Sequence, residues 1–147
     1  MKPLVIFDID GTLADISHRR HFVMGDNQNW AAFFKEMGDD TPNKPVVGLY
    51  QTLTVSNVYD LIIVSARPEN YRLLTEQWLV WNGIEFDRLI MRPEKDYRPD
   101  TEIKKEILDL LLSEGREIAF VVDDRDSVVD MWRENGITCL QCAPGDF

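Results

Sequence analysis

Two pairs of aspartates end apolar runs in this chain. Leu4–Phe7 leads into Asp8 and Asp10, one residue apart, with Gly11 and Thr12 following; residues 118–122 lead into Asp123 and Asp124. Carboxylates are seldom buried without compensation. Neighbouring like charges become tolerable when they share a cation, and hard carboxylate oxygens suit Mg²⁺. Helix capping is the competing explanation, since strand-to-helix loops favour aspartate there. Capping serves Asp126 and Asp124, but it fits Asp8 badly, because Ile9 and Asp10 still separate Asp8 from any turn. Other polar groups follow apolar runs in the same way: Ser65 and Arg67 after "LIIV", Asp100 and Lys104 after "LIM", and Arg125 after the second aspartate pair. A lysine in the first turn of a helix opposes the helix dipole. Lys104 and Lys105 share that penalty, but Lys104 lies with Ile103 and Ile107 on the inward side, so Lys104 is the expected site residue.

These residues need a scaffold that gathers strand ends. Apolar runs at Leu4–Asp8, Leu61–Ser65, Leu89–Met91, Ile118–Asp123 and Ile137–Leu140 alternate with segments of helical period, as in a parallel sheet buried on both faces. Helices are expected over 68–83, 100–115 and 126–136, each ending near a glycine, and near Trp30–Met37 and Val46–Thr54. The alternation predicts an α/β, three-layer sandwich with a central, mainly parallel sheet and right-handed crossovers. Ligands of such sheets bind beyond the carboxyl ends of the strands, where the polar residues named above would meet. The 147 residues read as one domain, with at most a very small cap formed by an irregular insert at about 14–45.

Composition narrows the function. Lys+Arg 16 against Asp+Glu 26 gives a formal net charge of −10, which argues against a general nucleic-acid coat. Arg19, Arg20, Arg67 and Arg125 follow strand ends or lie in the insert, and are expected to form a local cationic lip. No apolar run is long enough to span a bilayer and none resembles a signal peptide, so a cytoplasmic protein with no membrane partner is expected. Cys139 and Cys142 form a C-x-x-C pair without a second pair to complete a zinc site, and are expected to be reduced and structural. His18 and His21 read as surface residues.

The motifs together resemble the haloacid dehalogenase (HAD) phosphotransferase superfamily: "DIDGT" after an apolar strand, a strand ending in Ser65, Lys104 on a helix, and a strand ending in "DD". The carboxyl-terminal half, "VVDDRDSVVDMWRENGITCLQCAPGDF", is similar to the 3′-phosphatase domain of T-even bacteriophage polynucleotide kinases. That resemblance extends to Arg19, Arg67 and Asp100. The phage enzymes also carry a kinase domain with a G-x-x-x-x-G-K-[ST] loop; none occurs here, so neither 5′-kinase activity nor ATP as a partner is expected.

The resemblance implies a phosphomonoesterase with an aspartyl-phosphate intermediate. Asp8 would be the nucleophile and Asp10 the general acid and base. Asp123 and Asp124 would hold Mg²⁺ with Asp8 and the main-chain carbonyl of Asp10. Thr12, Ser65 and Lys104 would bind the phosphoryl oxygens, Arg19 and Arg67 would grip the rest of the substrate, and Asp100 would orient Lys104 or a neighbouring arginine. The expected substrate is a phosphorylated nucleic-acid end, with the 3′-phosphate foremost; the alternative is a small metabolite such as a mononucleotide. A catalytically silent binding module is a third reading, which the intact motifs disfavour. The sequence leaves the oligomeric state open.

Overall fold

The computed structural model describes residues 1–147. Five strands form one sheet: β1 (Leu4–Phe7), β4 (Asp60–Pro68), β5 (Arg88–Arg92), β6 (Ile118–Asp123) and β7 (Cys139–Gln141), in the order β5-β4-β1-β6-β7. Every pairing in it is parallel. The chain reverses its direction of growth across the sheet between β5 and β6, so β1 lies at the centre beside both β4 and β6. Phe7 pairs with Ile63 on one side and Val122 on the other. That register brings Asp8 and Asp123, the residues just beyond those partners, to one sheet edge.

Side chains alternate between two cores. Val5 and Phe7 join Leu61, Ile63 and Val122 on one face, covered by α2 (Lys44–Ser56) and α3 (Arg72–Trp81) through Val47, Tyr50, Trp78 and Leu79. Leu4 and Ile6 join Ile62, Val64 and Val121 on the other, covered by α4 (Asp100–Ser113) and α5 (Asp126–Glu134) through Ile107, Leu111, Val128 and Trp132. The period of two in the strands and the apolar stripes of the helices thus produce the three layers.

Boundaries differ from the sequence reading where local pattern carries little information. β4 continues past Ser65 to Pro68, with an irregular register between those residues. α2 begins at Lys44 with Pro45 in its first turn and stops at Asn57, whose φ of 57° is left-handed without a glycine. Asp126 does not cap α5. It lies in the first turn, where its carboxylate accepts a hydrogen bond from Gln141 Nε2 (2.6 Å), and Arg125 occupies the cap position.

The insert contains β2 (Ala14–Asp15) paired antiparallel with β3 (Thr41–Pro42), and α1 (Trp30–Lys35) between them. α1 starts where the Asn29 side chain accepts from Ala32 N (3.1 Å). A two-stranded ladder of two residues per strand leaves no periodic trace in the sequence. No helix is long and apolar enough to cross a membrane.

Candidate active site

Asp8, Asp123 and Asp124 converge at the sheet edge. One carboxylate oxygen from each lies within 4.8 Å of the others. The backbone brings Asp8 there directly, since its N–H still donates to Val122 O (3.0 Å) in the ladder rhythm of β1 and β6. Lys104, buried in the first turns of α4, donates from Nζ to Asp8 Oδ1 and Asp123 Oδ2, both at 2.9 Å. Lys105 instead faces solvent and pairs with Asp109. Thr12 Oγ1 donates to Asp8 Oδ2 at 3.1 Å. Asp123 is satisfied further by Trp132 Nε1 (3.3 Å) and by Asp124 N–H (2.8 Å).

Asp124 is different. Its Oδ1 lies 3.4 Å from Thr12 Oγ1, while Oδ2 is buried and has no hydrogen-bond partner. The turn after β1 packs against it and demands glycine at position 11: φ is +80°, and a Cβ there would sit 2.0 Å from Asp124 Oδ2. Three carboxylates meet one ammonium, which leaves an excess of two negative charges in a buried volume. Burial, then the Asp123 charge, raises Asp8 well above the carboxylate range against the pull of Lys104. The same two causes push Asp124 up to about 6. Burial opposes the charge on Lys104, but Asp123 and Asp8 outweigh it and hold the ammonium protonated. An orphaned buried oxygen, a two-charge deficit and an all-oxygen donor set fit a hard divalent cation.

Asp10 belongs to a second network. It accepts from Arg19 Nη2 (2.7 Å) and Arg67 Nη2 (2.6 Å), and both guanidiniums also reach Asp40: Arg19 Nε at 2.7 Å from Oδ1 and Arg67 Nη2 at 3.2 Å from Oδ2. Both arginines and Asp40 are buried. Burial raises Asp10, but the charges of Arg67 and Arg19 outweigh it and bring its pKa down to about 2. Asp40 escaped the sequence reading: an acidic residue in an irregular insert carries no mark separating it from Asp39 or Asp26. Its one signal is negative, in that Arg19 and Arg67 are buried cations that need more than Asp10 to balance them.

The remaining expected residues fall around these two networks. Ser65 is buried, and its Oγ accepts from Arg67 N–H (3.1 Å). Asp100 contacts Arg92 Nη2 (2.6 Å) and Arg125 Nη1 (2.9 Å), not Lys104. Arg92, which the sequence reading passed over, also donates to the main-chain oxygens of Ala66 (2.8 Å) and Asp96 (3.0 Å), tying the loop after β5 to the end of β4. Of the expected cationic lip, Arg20 and Arg125 are half-buried and line the cleft, whereas Arg19 and Arg67 are interior residues committed to carboxylates. Cys139 and Cys142 are free thiols, and burial raises them to about 12 and about 11.

A cleft of ≈ 670 Å³ opens onto Asp8, Asp10, Lys104, Asp123 and Asp124. Insert residues Ile16, Trp30, Phe33 and Phe34 form an apolar wall, and Arg20, Lys95, Arg98 and Arg125 bring cations to its rim. Thr12, Ser65 and Arg19 lie behind the lining.

A family model described as the polynucleotide kinase PNKP phosphatase domain matches residues 2–147. Among solved structures, a chain from a Pnkp1/Rnl/Hen1 complex is similar at 38% identity and a TM-score of 0.81, over 99% of this chain and 48% of that one. A chain from a Pnkp1/Rnl/Hen1 RNA repair complex is similar at 37% identity and a TM-score of 0.82, over 99% of this chain and 44% of that one. This chain therefore spans about half the length of those relatives. A HAD family enzyme from Bacteroides thetaiotaomicron, in complex with magnesium and inorganic phosphate, shares the fold at 14% identity and a TM-score of 0.56, over 100% of this chain and 97% of that one.

Proposed function

This chain belongs to the polynucleotide kinase PNKP phosphatase-domain family and is a HAD-fold phosphatase, and on that premise we propose that it removes 3′-phosphates from polynucleotide ends. The observation that carries the reading is the buried triad Asp8, Asp123 and Asp124 with the unpartnered Oδ2 of Asp124, set at the base of a cleft open to solvent. The triad fits Mg²⁺: Asp124 and Asp8 would hold it with the carbonyl of Asp10, and Asp123 would keep Lys104 in place. When bound, the ion supplies charge that offsets repulsion between the carboxylates and an incoming phosphate dianion.

The chain's own residues then divide the chemistry. An Asp8 oxygen attacks phosphorus and forms an acyl phosphate; the ester P–O bond breaks, and the leaving 3′-oxygen takes a proton from Asp10. In the second half, water attacks the same phosphorus, Asp10 takes its proton, and the bond to Asp8 breaks to release inorganic phosphate. Thr12 and Lys104 lie beside Asp8, where phosphoryl oxygens would accumulate charge, so their donors act on the transition state. The arginine grip favours ionised Asp10. Loading Asp10 with a proton for the first half requires that grip to loosen, and Asp40, which already shares both guanidiniums, is the residue onto which they shift. Asp100, by the same logic, positions Arg92 and Arg125 at the rim. Ser65 fixes the backbone that carries Arg67.

Residues 14–45 act as a small cap-like insert within one domain, walling the cleft with aromatic side chains while leaving it open to a bulky substrate. We place the protein in the cytoplasm, where Cys139 and Cys142 would stay reduced.

A panel of 3′- and 5′-phosphorylated oligonucleotides and mononucleotides, assayed with Mg²⁺ and again after EDTA, tests this reading. The highest kcat/KM is expected on 3′-phosphorylated oligonucleotides, with turnover abolished by chelation and restored by Mg²⁺. A 5′-mononucleotide as best substrate would move the function to small metabolites, and full turnover in EDTA would remove the metal.

A further inference from the structure

We propose that Arg20, backed by the ring of Phe147, is a subsite for the internucleotide phosphate next to the terminal 3′-phosphate. The inference rests on the polynucleotide reading above and deepens it.

Nearly every cation on the cleft is already neutralised. Lys104 serves Asp8 and Asp123, Arg67 serves Asp10 and Asp40, Arg92 and Arg125 share Asp100, and Arg98 pairs with Asp96 and Glu106. Arg20 and Lys95 alone line the cleft without a carboxylate partner. The two differ in how they are held. Lys95 is exposed on the loop after β5, whereas Arg20 is half-buried and its Nε is fully enclosed without a hydrogen-bond acceptor. Enclosure of Nε holds the guanidinium in place, and an oxyanion in the cleft that Arg20 lines would be its first anionic partner.

The position of Arg20 is fixed from two sides. Its chain neighbour Arg19 is bonded to Asp10. Its guanidinium carbon lies 4.4 Å from the centroid of the Phe147 ring. Phe147 is in turn anchored to the loop that carries Asp124: its main-chain oxygen accepts from Arg125 Nε (2.9 Å), and Gly145 O accepts from Asp126 N (2.8 Å). Gly145 packs so closely that a Cβ would sit 1.9 Å from Asp124 O. One guanidinium, stacked and unpaired, is therefore held rigidly on the rim between the loops of Asp10 and Asp124. Its planar fork matches a phosphodiester, and the stacking keeps the fork from collapsing onto the acidic cluster.

The experiment compares kcat/KM for a 3′-phosphorylated dinucleotide, which has one internucleotide phosphate, with that for a 3′-mononucleotide, which has none. The wild-type protein is expected to favour the dinucleotide. Arg20→Ala and Arg20→Gln should each lower the dinucleotide-to-mononucleotide ratio by about 10-fold and reduce the salt slope of dinucleotide kcat/KM by about one unit. Arg20→Lys should retain the slope and recover part of the ratio; Phe147→Leu should lower the ratio less than Arg20→Ala does. A wild-type protein without any dinucleotide preference overturns the polynucleotide reading and this subsite with it. A wild-type preference that survives in Arg20→Ala and Arg20→Gln overturns the subsite alone. An equal fall in Lys95→Ala would likewise overturn it, because general surface charge would then account for the effect.

Discussion

Asp124 Oδ2 is a buried carboxylate oxygen without a donor, in a site where Lys104 is the only cation among three carboxylates. A raised carboxylate pKa means that the folded protein binds a proton more tightly than the unfolded chain does. The metal-free protein therefore loses stability from this group as pH rises from the ordinary carboxylate range through about 6. Mg²⁺ should reverse that loss. The Tm increase on adding saturating Mg²⁺ is expected to be several degrees at pH 7.5 and clearly smaller at pH 5, where protons compete for the same oxygens. An equal increase at both pH values would place the ion elsewhere. The aspartates were legible from sequence because each ends an apolar run; Lys104 was legible because helical period separates it from Lys105. The full partners of Arg19 and Arg67 were not, and for Asp100 an arginine was only one of two alternatives. Those depend on which way long side chains turn after the backbone is set, and no spacing rule records that Asp100 faces Arg92 and Arg125.

Parallel strands gather these groups because their carboxyl ends share an edge, and the hydrophobic runs that define the strands also define where that edge lies. The insert obeys weaker rules. Its β-ladder is too short to show alternation, and the residues it brings to the network around Asp10, Arg19 and Asp40, meet through a tertiary contact. Asp40 holds the two guanidiniums that hold Asp10, so under the proposed mechanism the insert would be part of the catalytic scaffold rather than a decoration on it. Asp40→Ala would leave two buried arginines sharing one carboxylate. Breaking a buried ion pair from one side typically costs about 3–5 kcal/mol. The variant should unfold at a lower urea midpoint with an unchanged m-value, and its remaining folded fraction should turn over more slowly. A wild-type midpoint and kcat together would show that the insert merely covers the cleft.

At the scale of the whole molecule, two cores on opposite faces of one sheet hold the strand ends rigid, while the reacting groups sit in a cleft that the small insert walls but does not close. The net charge of −10 opposes long-range capture of polyanions. Under the proposed function, recognition would therefore be local, through the few cations on the rim and the aromatic wall from α1. This arrangement fits a phosphorylated strand end better than the interior of a nucleic acid. The central claim, that a 3′-phosphoryl group passes through Asp8, is tested most directly by trapping it. The protein is mixed with an oligonucleotide carrying a radiolabelled 3′-phosphate in Mg²⁺, quenched in acid within one turnover, and mapped by peptide mass spectrometry. Label is expected on Asp8, labile to hydroxylamine, and absent both from Asp8→Asn and from protein given the 5′-labelled strand. Turnover of the 3′-phosphate with label on another residue, or with Asp8→Asn as active as wild type, would contradict the account.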